Sequence, residues 1–264
     1  MTDMNSPAIR VLVAGAIGTI ELCNPARRNA VSTTMWSRLA SAVQALNSDD
    51  GVRVVVLRGA GGEAFCAGAD MSEFDGKRSN AKQAAAYTEL TERAYSALEA
   101  CSKPTVAMIE GPCIGAGLAM AVCCDLRVGD PRSVFSVPAA RIGLGYSYEN
   151  VARLANVVGP SHARDMLLTA RRLGVDDALA IGLLHYRLHD AQDDTFTKLL
   201  ESLVNNAAPS MAASKLALRA FCRPGSPGLL DAAREAVALC SDSKEYAAGR
   251  QGGAVGSSGT LPAP

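Results

Sequence analysis

Two runs of small residues could do chemistry with their backbone. Glu63-Ala-Phe-Cys-Ala-Gly-Ala-Asp-Met-Ser-Glu-Phe74 follows a β-branched stretch, Val52 to Leu57, that reads as a buried strand. Within it Ala67-Gly68-Ala69 carries nothing larger than a methyl group, so a ligand can lie against the main chain. Asp70 suits the N-cap of a helix beginning near Met71. About forty residues on, Thr105 to Ile109 is again strand-like, and Gly111-Pro-Cys-Ile-Gly-Ala-Gly117 leads into an apolar helix reaching Cys124. The first turn of a helix leaves amides unpaired and favours negative charge. Two such helix starts can aim two N–H groups at one oxygen, the layout of an oxyanion hole.

The elements that must position these runs alternate. Ile9–Val13 and Ile17–Cys23 read as a hairpin around Ala14-Gly15-Ala16. Ser32 caps a helix in which Met35, Leu39 and Val43 share a face. A long helix covers Asn80 to Ala100, and Leu126–Val128 and Val134–Val137 read as short strands. After Asn150 the pattern is mainly helical, with a brief extended piece at Leu184–Leu188 and helices over Asp190–Asn206, Met211–Phe221 and Gly228–Cys240. Strands alternating with helices, then a helical tail, predict an α/β core with a C-terminal helical subdomain. The Gly/Ser/Pro-rich stretch from Gly249 to Pro264 is expected to be disordered.

The 264 residues contain 26 Lys+Arg and 26 Asp+Glu, a balance that points away from nucleic acid and anionic membranes. Hydrophobic residues make up 48%, enough for a sizeable core. The N-terminus lacks the charged and apolar regions of a secretory signal, and the longest apolar stretch, Thr105 to Cys124, is interrupted by Glu110, Pro112 and three glycines. Eight cysteines without a C-x-x-C pair read as reduced, buried thiols, and the expected compartment is the cytoplasm.

The motifs together resemble the crotonase family, also called the enoyl-CoA hydratase/isomerase family, over roughly Ile9 to Gly249. Gly18-Thr-Ile-Glu-Leu-Cys-Asn-Pro-Ala-Arg-Arg-Asn-Ala30 is similar to its opening strand and loop. Ala64-Phe-Cys-Ala-Gly-Ala-Asp-Met71 and Lys103 through Asp125 are similar to its two oxyanion segments, and Pro138 through Arg153 to the segment after them. The resemblance implies a ββα spiral core over residues 1–195, a C-terminal helical trimerisation subdomain over 196–248, and a homotrimer or dimer of trimers. It implies an acyl-CoA ligand, with coenzyme A as part of the thioester and no tightly bound cofactor or metal. By motif position the oxyanion amides belong to Ala69 and Ala116. Ala67, Gly68, Asp70 and Met71 border the ligand, the Ala67 carbonyl meets the adenine amine, and Arg27 or Arg28 meets the CoA phosphates.

The chain also departs from the family. The two glutamates of family hydratases fall at Ala119 and Ala139, and neither alanine can move a proton. Losing a general acid–base residue costs about 10²–10⁴ in rate, so hydration by the usual pair is not expected. Tyr146 and Glu149 are the local candidates for acid–base work; as structural alternatives, the first is a packed aromatic and the second a helix-start carboxylate favoured by the dipole. Tyr146 matches a tyrosine of family decarboxylases acting on malonyl-type CoA, but their histidine falls at Ala69. The expected function is an acyl-CoA-transforming lyase or isomerase of this family, with a non-catalytic acyl-CoA carrier or sensor, or a malonyl-type CoA decarboxylase, as alternatives. Gly115-Ala-Gly-Leu-Ala-Met120 lacks the context of a dinucleotide fingerprint, His185 and His189 lack a third ligand, and no Gly-x-Ser-x-Gly elbow occurs.

Overall fold

A computed structural model of the chain describes residues 7–74, 80–190, 192–223 and 225–250. Strands β1 (Ala8–Ala14) and β2 (Ile17–Cys23) form the expected hairpin, with Gly15 at φ +55 in its turn. They are followed by α1 (Thr33–Ser48), β3 (Val54–Gly59), α2 (Ala81–Ala100), β4 (Thr105–Ile109), β5 (Pro112–Ile114) and α3 (Ala116–Cys123). The rest comprises β6 (Leu126–Gly129), β7 (Val134–Ser136), α4 (Tyr148–Thr169), α5 (Val175–Ala180), β8 (Tyr186–Arg187), α6 (Thr195–Asn205), α7 (Ala208–Cys222), α8 (Leu229–Cys240) and α9 (Lys244–Arg250).

The main sheet runs β1-β2-β3-β4-β6-β8, parallel except for the β1–β2 hairpin. A second, two-stranded sheet pairs β5 with β7 in parallel. Alternate residues of a strand face opposite sides, and β3 divides accordingly. Val55 and Leu57 join a core that includes Met35, Trp36 and Leu39 of α1 and Leu98 of α2, whereas Val54 and Val56 pack with Leu199 and Leu200 of α6. Covering both faces explains why β4 is buried at every position.

Several local features depart from the expectations above. Asp70 caps as expected, accepting from the Ser72 N–H, but Met71–Glu73 form a 3-10 turn instead of opening a longer helix. Strand β5 was not foreseen, because Pro112 and two nearby glycines mark a turn by composition, yet Cys66 supplies a backbone partner. The helix expected from Asp190 begins only at Thr195, where the Asp193 carboxylate accepts from the backbone N–H groups of His189 and Thr195. Helix α4 bends where Gly159, at φ +75, precedes Pro160.

Helices α7 and α8 form a hairpin attached to the core through Lys215, whose Nζ donates to the Lys103 carbonyl at 2.6 Å and the Asp125 carboxylate at 2.5 Å. The expected disordered boundary at Gly249 is corrected, since Gly249 and Arg250 complete α9 and the Arg250 guanidinium covers the Tyr246 ring at 5.5 Å. The remainder of that stretch, 251–264, lies outside the described residues. Among the described residues no helix is long and apolar enough to cross a membrane, and no cluster of three metal-ligating side chains occurs. Six of the eight cysteines are buried; Cys222 is exposed and Cys240 half-buried.

Candidate active site

The loop Asn24–Ala30 sets the first small-residue run in place. Two buried asparagines hold it: the Asn29 Nδ2 donates to the Ala60 and Ala64 carbonyls, and the Asn24 Nδ2 to that of Ala30. From this loop the Arg28 carbonyl accepts from the Ala67 N–H at 3.0 Å, and Val31 brackets Ala69 by donating to Gly68 O and accepting from Asp70 N. That bracket uses the backbone groups on either side of Ala69 and leaves the Ala69 N–H with no acceptor among the described residues.

The second run lies directly beside the first. Cys66 N–H donates to the Pro112 carbonyl at 3.0 Å, and the Cys66 carbonyl accepts from Ile114 N–H at 2.9 Å. Gly115 then turns at φ +54 and ψ −110 and precedes Ala116, the first residue of α3. Gly115 supplies no side-chain cap, so the Ala116 N–H is one of the unpaired amides of the helix start. Gly117 is required by close approach: a Cβ there would sit 2.6 Å from the Cys66 carbonyl oxygen. The two runs are therefore hydrogen-bonded neighbours, and Ala69 and Ala116 open onto one cavity.

That cavity encloses about 170 Å³. Ala67, Gly68, Ala69, Gly115 and Ala116 form its backbone wall, and Trp36 of α1, with Met71 and Phe74, adds apolar surface. Helix α2 contributes Tyr87, Thr88, Thr91, Glu92 and Tyr95, one face of a helix at spacings of three and four residues. The segment after β7 brings Pro138, Ala139, Leu144 and Tyr146, and the start of α4 adds Ser147 and Asn150. Trp36 fastens the base, donating from Nε1 to the Tyr87 hydroxyl at 3.0 Å and meeting the Tyr95 ring edge-on at 5.3 Å.

The two alanines at the expected acid–base positions are both buried; Ala139 lines the cavity, whereas Ala119 lies in the interior of α3. Tyr146 does face the cavity, its hydroxyl has no partner among the described residues, and burial pushes its phenol up so that it stays protonated. Glu149 does not, and its expected place beside the ligand is corrected. Ser147 caps α4 by accepting from Asn150 N–H, which turns Ser147 and Asn150 inward and leaves Tyr148 and Glu149 exposed on the opposite face. Cys66 lies behind the backbone wall with its thiol pushed up to about 12 by burial, a protonated group rather than a nucleophile.

Glu92 was missed by the sequence reading. Among the described lining residues, it is the one that carries a full charge at neutral pH. Arg153 of α4 grips its carboxylate through both terminal nitrogens, with Nη1 to Oε2 at 2.8 Å and Nη2 to Oε1, and Ser96 Oγ donates to Oε1 at 2.9 Å. Burial alone would raise the Glu92 pKa, but these bonds outweigh it and hold the carboxyl below its usual range. The only sequence signal was a charged residue bordering the apolar stripe of α2, a place where solvated glutamates are ordinary.

Near the first run, Asp70 is buried, and Arg27 reaches it from the surface, with Nη1 3.5 Å from the carboxylate. Arg28 is exposed, and Met71 is 58% exposed at the cavity edge. The Ala67 carbonyl accepts no hydrogen bond from the described residues.

A parallel sheet with covered faces, a side sheet, and two facing small-residue runs over one cavity define a crotonase-type α/β fold. A family model described as enoyl-CoA hydratase/isomerase matches residues 13–252, and the chain belongs to that family. It is 39% identical over 189 residues to a "Probable enoyl-CoA hydratase echA6" of Mycobacterium leprae, covering 70% of this chain and 73% of the relative. It is 27% identical over 205 residues to a "Short-chain-enoyl-CoA hydratase" of Clostridium acetobutylicum, covering 77% of this chain and 78% of that one. Among solved structures, an enoyl-CoA hydratase/carnithine racemase from Magnetospirillum magneticum superposes with a TM-score of 0.87 at 32% identity, covering 100% of this chain and 97% of the other.

Proposed function

We propose that the chain binds an acyl-CoA thioester in this cavity and holds its carbonyl oxygen with the N–H groups of Ala69 and Ala116. The observation that carries the reading is the pair of unpaired amides, from two hydrogen-bonded backbone runs, opening on one cavity. Such donors stabilise the negative charge that develops on a thioester oxygen when its α-carbon becomes nucleophilic; removing one elsewhere costs about 10²–10³ in rate. The proposed chemistry is a lyase-type step through a thioester enolate: water adding to Cβ of an enoyl thioester pushes the electron pair onto the carbonyl oxygen, the cavity-facing Tyr146 phenol gives its proton to Cα, and the proton released by the added water returns to the phenolate. The usual two-glutamate hydration is not part of the proposal, since Ala119 and Ala139 stand at those positions. Arg27, at the exposed edge beside Asp70, is the proposed contact for the CoA phosphates. In the proposed homotrimer or dimer of trimers, the C-terminal helices meet their counterparts.

The same two alanines favour a second reading, a carrier that binds acyl-CoA without transforming it. A malonyl-type decarboxylase fits less well: a second carboxylate would find Glu92 and no cation among the described lining residues. The test offers purified protein crotonyl-CoA, methylmalonyl-CoA and a saturated acyl-CoA, following binding by calorimetry and turnover by chromatography. Micromolar binding of the saturated thioester is expected, with crotonyl-CoA hydration at least about 10²-fold below that of a glutamate-bearing relative. Turnover of any thioester supports the enzyme, and binding without turnover supports the carrier. Failure to bind any of the three removes the proposal.

A further inference from the structure

We infer that the wall opposite the two runs selects an acyl group carrying a hydroxyl, with Glu92 as the acceptor that reads it and Tyr95 and Tyr146 beside it. The inference rests on the acyl-CoA reading and narrows its substrate class.

Arg153 organises that wall. It is 4% exposed, and it binds three residues of the lining at once. It holds the Glu92 carboxylate with two nitrogens, donates from Nη1 to Asn150 Oδ1 at 3.1 Å, and sits over the Tyr95 ring with its guanidinium carbon 5.4 Å from the centroid. A further carboxylate behind it, Glu99, accepts from Arg153 at 3.0 Å and from Arg223 of α7 at 2.5 Å. Glu92 is thus fixed in place and in charge. An ionised carboxylate has about four acceptor positions. Arg153 and Ser96 take three, which leaves one on Oε2.

The neighbouring hydroxyls are in the same condition. Those of Tyr95 and Tyr146 have no partner among the described residues, and both tyrosines line the cavity. A plain aliphatic acyl chain would strip water from these groups and return nothing, leaving buried polar groups unpaired at a cost in affinity. A hydroxyl on the chain donates to Glu92 and accepts from a tyrosine, and a bond to an ionised acceptor is among the stronger kind. An acyl carboxylate would instead meet like charge. Sites built to bond a substrate hydroxyl reject the analogue lacking it far more strongly than apolar pockets reject an added methylene.

The test measures calorimetric dissociation constants for butyryl-, hexanoyl- and octanoyl-CoA against 4-hydroxybutyryl-, 6-hydroxyhexanoyl- and 8-hydroxyoctanoyl-CoA. At one chain length or more, the hydroxylated thioester is expected to bind about ten- to a hundredfold tighter than its parent. In Glu92→Gln and, separately, Tyr146→Phe, that preference is expected to fall at least about fivefold. The tyrosine variant leaves the Arg153 contacts intact, so the test survives if the glutamate variant folds poorly. Parents that bind as tightly as the hydroxylated forms at all three lengths overturn the inference and leave the acyl-CoA reading standing, as does a preference that persists in both variants. If none of the six thioesters binds, the acyl-CoA reading fails and the inference falls with it.

Discussion

His185 shows how a residue chosen by spacing acquires a different role by packing. It sits half-buried with its Nδ1 accepting from the Arg127 N–H at 3.2 Å, so it helps fix β6 instead of pairing with the exposed His189. Burial, aided by the nearby Arg127 charge, pushes its pKa from 6.5 down to about 4. Between those values the unfolded chain takes up a proton that the native chain refuses, so stability rises with pH in that window. Unfolding in urea is expected to show this contribution complete above pH 6.5 and lost as the pH falls to 4. Discounted for partial exposure, it amounts to about 1–2 kcal/mol. The variant His185→Asn keeps an acceptor near the Nδ1 position and is expected to flatten the loss; an unchanged acid limb would refute the assignment. The proposed site depends equally on individual side chains, since Glu92 is the carboxylate among the described lining residues and Ala139 lines the same cavity.

Elements matter here through how closely their ends approach. Strand β5 and the start of α3 are drawn against Cys66 until only glycine fits at 117. The variant Gly117→Ala is expected to push the two runs apart by tenths of an ångström or more. Overpacking of this kind costs about 1–3 kcal/mol of stability. Oxyanion geometry suffers further, since misplacement near 1 Å costs about 10² in rate. Calorimetry with hexanoyl-CoA, alongside a thermal melt, should find binding weakened tenfold or more in a protein that still folds cooperatively. Unaltered affinity would mean that the two amides do not act on a common oxygen. Helices α2 and α4 act in concert in a different way: Arg153 joins residues 61 positions apart, and through Glu99 and Arg223 the same cluster reaches α7.

On the scale of the whole molecule, the C-terminal hairpin presents large apolar side chains to solvent, with Phe221 82%, Leu218 64%, Leu239 62%, Val237 55% and Leu230 54% exposed. Apolar groups clustered in this way mark an association surface. In the proposed trimer they are covered. Light scattering coupled to size exclusion is expected to give three or six chain masses for the parent protein. The double variant Phe221→Glu, Leu230→Glu is expected to give a single chain mass, by placing unpaired charge in the contact. A parent protein that runs as a monomer would exclude the trimer directly.

The sequence alone determined the alternating core, the crotonase-type fold and both small-residue runs. Those features are local: strand and helix patterns repeat within a few residues, and a backbone donor needs only small neighbours and a helix start. It also reached Tyr146, which lines the cavity. The tertiary structure decided what faces the cavity from the far wall. The Ser147 cap sets the phase of α4 so that Glu149 faces solvent, whereas the Arg153 side chain of α4 reaches Glu92 and Tyr95 of α2 and brings them together. A side chain's direction is set by the phase of its helix and by partners distant in the chain, and no short stretch of residues encodes either one.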